Sequence, residues 1–175
     1  TVANTMFWPC ADQIITHRSL DYVNVYRQHD VVPAAAASPA AEAAVKRIVD
    51  HAHFLTSEPA EAELLLDFLA YVYQNPGKRV RWAILLFGIQ GNGKSFWMAM
   101  MKGLLGQNAG EVAGTTVAHQ FTGWAVNKLF IAIEEIRVPS ESKYAVMDKL
   151  KPFISNDAVN IEKKGQDDRV VPNFA

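Results

Sequence analysis

Cysteine is almost absent from this sequence: Cys10 stands alone in 175 residues. No internal disulfide can form, so a reducing compartment such as a (host) cell cytoplasm is the expected setting. No neighbour of Cys10 suggests a base, and lone cysteines are mostly small core hydrophobes rather than nucleophiles. Long apolar runs are missing too. None approaches the roughly 18 residues that would span a bilayer, and the amino-terminal residues lack a secretory pattern, so no membrane partner is expected. Charge of neither sign is in excess: 17 Lys+Arg face 18 Asp+Glu, a formal net charge of -1 with a pI near 6.5. That balance excludes a wholesale basic nucleic-acid binder, whose domain pI exceeds about 9, but not a local basic strip. Histidine is sparse. His51 and His53 sit two apart on an expected helix and point in different directions, a poor metal pair, while His17, His29 and His119 have no evident partners. There is no internal repeat.

What is there falls into three parts. Residues 1–37 hold short strand-like runs, such as the alternating Asp21 to Tyr26, followed by an Ala/Pro linker. Residues 38–78 read as a helical collar. Ser38-Pro39 starts a helix whose apolar positions recur every three or four residues. A second helix begins near Ser57, carries Pro59 in its first turn, and stops at Asn75-Pro76-Gly77. From residue 79 the composition shifts. Arg79 to Phe87 ends in a continuous apolar run, as expected of a central strand buried on both faces. Lys94 to Gly106 reads as a helix, and some of Trp97, Met98, Met100 and Met101 along it must pack against the sheet. Lys128 to Ile136 reads as a second buried strand, with Trp124 anchoring the loop before it. A short helix should be stopped by Pro152, leaving Lys151 at its end to complement the dipole. Two strands then flank a turn at Gly165-Gln166. Strand alternating with helix predicts an α/β fold built on a central, mainly parallel sheet, preceded by a small helical layer.

The chemistry is concentrated in one stretch. Gly88-Ile89-Gln90-Gly91-Asn92-Gly93-Lys94-Ser95 fits the phosphate-loop pattern GxxxxGK[ST]. Glycines let the backbone turn so that several N–H groups face one concavity, at a helix N-terminus that favours anions. Lys94 would reach the β- and γ-phosphates of ATP, Ser95 would ligate Mg²⁺, and Phe96 follows directly in the nucleotide-binding segment. Such a loop needs a second strand bearing carboxylates. Glu134-Glu135, at the end of an apolar strand, supplies them: Glu134 on the metal side and Glu135 as the base that deprotonates an attacking water, with the reverse assignment open. Lys163, Lys164 and Arg169 flank the final turn and form the candidate DNA contact. Glu162, Asp167 and Asp168 share that hairpin, so a solvated hairpin of mixed charge is the competing reading.

These motifs, in this order and at this spacing, resemble superfamily 3 helicases, closest to the phage and poxvirus primase-helicase group. The segments carrying the likeness are Leu64 to Ser95, the approach to the acidic strand ending at Ile136, and Leu150 to Ala175. The resemblance implies an AAA+-like ATPase core, ATP and Mg²⁺ as cofactors, a homo-hexameric ring, and movement along single-stranded DNA during viral genome replication, alongside other replication proteins. In such a ring the hairpin basic residues would line the channel, which reconciles DNA binding with a neutral pI. The family core continues with a sensor asparagine and an arginine finger. Neither is found here; Asn173 comes too early. The chain opens on Thr1 and stops inside an extended-looking run, so it is expected to be part of a longer protein and a poor ATPase by itself. Two other classes stay in view. A DNA-packaging or switch-type ATPase would translocate intact duplex. A small-molecule kinase would carry an arginine-rich lid, whereas no arginine lies between Lys94 and Glu134.

Overall fold

The computed structural model describes residues 2–29, 31–118, 121–135, 143–165 and 167–175. The strand-like amino-terminal runs fold into a three-stranded sheet of β1 (Val2–Met6), β2 (Ile14–His17) and β3 (Leu20–Asn24). β3 lies in the middle, parallel to β1 and antiparallel to β2. Buried Asn24 closes this module. Its Nδ2 donates to the carbonyls of Trp8, Ala11 and Asp12, and its Oδ1 accepts from the backbone N–H groups of Trp8 and Tyr26. Most of the Ala/Pro segment that follows is exposed and without regular structure.

The two collar helices form where their end signals place them. α1 (Pro39–Leu55) is capped by Ser38, whose Oγ accepts from Ala41 N at 3.2 Å, with proline in the first turn where a missing N–H costs nothing. α2 (Pro59–Gln74) ends at Asn75, whose N–H bonds back to Tyr71 O. The helices pack on each other, and they bury Ala52, Ala62, Leu65 and Leu69 against Trp97, Met101 and Leu105 of α3 (Lys94–Leu105). Phe7, Tyr26 and Phe174 close the same core. Among the described residues no helix is long and apolar enough to cross a membrane.

The expected central sheet is not what forms. The described strands make three separate small sheets. β4 (Ala109–Ala113) and β5 (Phe130–Glu134) form a second parallel pair, and β6 (Ala158–Ile161) and β7 (Arg169–Pro172) make an antiparallel hairpin. The reason lies in residues 79–87, which run without a ladder partner. Ile84 and Leu86 lean on the core, while Leu85 and Phe87 stand 59% and 81% exposed. Side-chain alternation is therefore present, but a strand is defined by its hydrogen-bonded neighbour, and a continuous apolar run does not supply one.

Pro152 does not stop the last helix. α5 runs over Lys143–Ser155 with the proline inside it, so Lys151 sits within the helix rather than at its end. Side chains distant in sequence hold the extra turn. Arg79 Nη2 donates to Phe153 O (3.2 Å) and Ile154 O (2.8 Å), and Asn173 Nδ2 donates to Phe153 O (2.7 Å) and Asn156 O (2.9 Å). These bonds occupy carbonyls that a helix end leaves orphaned. Ile136, Gln166 and His119, each part of a sequence expectation, lie outside the described residues.

Candidate functional site

The phosphate-loop sequence forms a glycine turn leading into the first residue of α3. Gly93 is the N-cap, at φ 91° and ψ 13°. Two restraints fix glycine there. The backbone lies in the left-handed region, and a Cβ would collide with His51 Nε2 from α1. At Gly88 a Cβ would lie 2.5 Å from Asn92 Nδ2, so the loop closes tightly on itself. Lys94 is turned onto its own loop: Nζ donates to Gly88 O (3.0 Å), Ile89 O (2.7 Å) and Asn92 Oδ1 (2.8 Å). Three oxygens thus already solvate this ammonium.

α3 sets the orientation of the rest. It packs on both β4 and β5 and connects to β4 through only Gly106–Asn108. So short a link between packed elements reverses the chain, and the carboxyl ends of the parallel β4 and β5 point back toward the start of α3. Glu134 is the last residue of β5, and Glu135 follows it at φ 43°. A glutamate in the left-handed region carries backbone strain of order 1–2 kcal/mol, and such strain tends to collect at functional positions.

Glu111 was not anticipated from sequence. Register pairs Glu111 with Ala132 and Ala113 with Glu134, which puts Glu111 and Glu134 on one face of the β4–β5 pair. Lys102 bonds Glu111 at 2.5 Å. That bond, followed by the Lys102 charge, holds the Glu111 carboxyl below its ordinary range. The strand was missed because Ala-Gly-Glu-Val-Ala is short and small-residue rich, with almost no strand signal. The donor set offered by Ser95, Glu134 and Glu135 is all oxygen, which suits Mg²⁺. Among the described residues no cluster of three acidic, histidine or cysteine side chains would hold a metal alone.

His51 is placed by the fold at the phosphate loop, not in a metal pair. Its Nε2 lies 3.3 Å from Asn92 O, and its ring stacks on Trp97 at 5.5 Å and 4° and meets Phe96 edge-on at 5.3 Å. Two other histidines find partners that sequence did not reveal: His29 lies against Tyr73 and His17 near Trp8. In the hairpin, Lys164 and Arg169 are exposed while Lys163 is half-buried, its stem lying over Gly123. The hairpin is tied to the loop before β5. Thr122 N donates to Glu162 O, Thr122 Oγ1 accepts from Glu162 N, and Trp124 packs on Phe153.

A family model described as a family of unknown function, DUF5906, matches residues 86–175, from two residues before the glycine loop through the hairpin. The chain belongs to that family. No curated protein matches the sequence. Solved structures of the NrS-1 C-terminal region are similar in fold. The apo structure of residues 305–718 has a TM-score of 0.81 at 20% identity, over 99% of this chain and 41% of that one. An A-form apo structure gives 0.78 at 20% identity, over 99% and 40%, and another gives 0.74 at 19%, over 99% and 39%. The chain thus spans about two fifths of the length of those structures. At this identity the likeness concerns the fold alone, and it extends to the amino-terminal sheet and collar, which the DUF5906 match does not reach.

Proposed function

We propose that this DUF5906 chain is the nucleotide-binding part of an ATP-driven helicase motor that moves on single-stranded DNA in viral genome replication. The observation that carries the reading is the glycine loop at the head of α3, with Lys94 inside it and the β5 acids at the same end of the α3–β4–β5 layer. Backbone N–H groups at a helix N-terminus bind phosphate. Lys94 would exchange its loop oxygens for the β- and γ-phosphates. Mg²⁺, held by Ser95 and the Glu134 side with phosphate oxygens, would neutralise charge that develops on the transferred phosphoryl group. Glu135 would orient and deprotonate the water. The resemblance to superfamily 3 helicases adds a homo-hexameric ring, with Lys163, Lys164 and Arg169 turned to the DNA and the remaining ATPase parts contributed by further sequence.

The test is strand separation by the intact protein. With ATP and Mg²⁺ it should unwind a forked duplex, and both Lys94→Ala and Glu135→Gln should abolish unwinding; Glu135→Gln should still bind ATP. Movement along intact duplex without strand separation would turn the assignment toward a packaging-type ATPase. No ATP-dependent action on DNA at all would refute it.

A further inference from the structure

Beside Gly93, on the side facing the collar, a cleft of about 460 Å³ opens between α1 and the start of α3. Its walls are Ala44, Arg47, Ile48 and His51 from α1 and Gly93 and Phe96 from the loop and α3. The four α1 residues are spaced i, i+3, i+4 and i+7, so they form one stripe of that helix. Ordinarily such a stripe is buried in a core. Here it borders a cleft at the phosphate loop, and it mixes an apolar floor with a cation and an imidazole. Phe96 is 42% exposed and meets His51 edge-on, while His51 is backed by Trp97. Small-molecule sites are commonly concave, about 300–1,000 Å³, mostly apolar, and equipped with a few placed polar groups.

We infer that this cleft is the nucleoside subsite: α1 of the collar and Phe96 hold the aromatic base of the nucleotide whose phosphates the glycine loop binds. The inference rests on the phosphate-loop reading above. Phe96 is the third residue after Gly93, the loop's last glycine, with Lys94 and Ser95 intervening, so a nucleotide with its phosphates over the loop has its nucleoside within reach of the Phe96 side chain. The exposed ring offers a stacking face, and Arg47 offers a planar guanidinium that stacks on or hydrogen-bonds to a base. His51 has a positioning role. Its contact with Asn92 O holds α1 at a fixed distance from the loop, which sets the width of the cleft. The collar is then part of the nucleotide site and not only a spacer.

Isothermal titration of the intact protein with ATP and, separately, with inorganic tripolyphosphate tests this, both with Mg²⁺. Phe96→Ala should weaken ATP on the order of tenfold, the usual effect of removing one aromatic partner from a base, and leave tripolyphosphate within about twofold. Arg47→Ala, at an exposed position that the fold does not need, should act in the same direction. Lys94→Ala should weaken both ligands. If Phe96→Ala and Arg47→Ala leave ATP unchanged while Lys94→Ala does not, the cleft is not the base site and the phosphate-loop reading survives. Equal losses for ATP and tripolyphosphate in Phe96→Ala also overturn it, since the ring would then be acting through the loop. If the unmodified protein binds neither ligand, the phosphate-loop reading itself falls and takes this inference with it.

Discussion

Asn92→Ala should make the protein bind ATP more tightly, although the substitution deletes a side chain from the phosphate loop. Lys94 Nζ makes three hydrogen bonds within the loop, and only the one to Asn92 Oδ1, at 2.8 Å, comes from a side chain. The Gly88 and Ile89 carbonyls supply the others, at 3.0 and 2.7 Å. All three are given up when Lys94 turns to a phosphate. A hydrogen bond to a charged group is worth about 1.5–3 kcal/mol net. Solvent reaches this loop, so a value near 1 kcal/mol is the better estimate for the Asn92 bond. Removing a bond that competes with the ligand should lower the dissociation constant for ATP about fivefold. Phosphate recognition should survive, because it rests on backbone N–H groups that alanine retains. Asn92→Asp should do the reverse, since its carboxylate would hold Lys94 more firmly and repel phosphate. Titration of the three proteins with ATP and Mg²⁺ decides the matter. Weaker or unchanged binding by Asn92→Ala would refute the idea that Lys94 is restrained by its own loop.

Two further predictions concern stability. Glu135 holds φ at 43°, so Glu135→Gly should be more stable than Glu135→Ala by about 1 kcal/mol, or about 2–4 °C in a thermal melt. Equal melting temperatures would show that the backbone relaxes without cost. Arg79 is 7% exposed and bonds Asp157, Phe153 O, Ile154 O and Ala175 O; Arg79→Ala should therefore cost about 3 kcal/mol and lower the melting temperature by roughly 10 °C. A loss under about 1 kcal/mol would mean that water replaces those bonds freely.

Local signals read well from the sequence and partnerships did not. Ser38-Pro39 starts α1 and Asn75 ends α2 where expected, because caps and prolines act within a few residues of themselves. The β6–β7 hairpin was legible for the same reason. The run of residues 79–87 misled, since apolar continuity reports burial preference but not whether a neighbouring strand is there to pair. Pro152 misled because the bonds that hold the last turn of α5 come from Arg79 and Asn173, distant along the chain. Near α3, the glycine turn and the strand ending in Glu134 could be read from the sequence, being contiguous motifs. Glu111 and His51 could not. They reach the site only through the β4–β5 register and the packing of α1 against α3, and neither leaves a trace in local spacing.

The central claim is that ATP turnover is coupled to single-stranded DNA through the hairpin. Its most direct test is the ATPase rate of the intact protein, with and without single-stranded DNA, for the unmodified form and for Lys164→Ala/Arg169→Ala. Those two side chains are exposed, whereas Lys163 also packs over Gly123, so the pair can be removed with little effect on folding. The account predicts that DNA raises the rate, and that the double variant keeps its basal rate and loses the stimulation. A rate indifferent to DNA in the unmodified protein would contradict it.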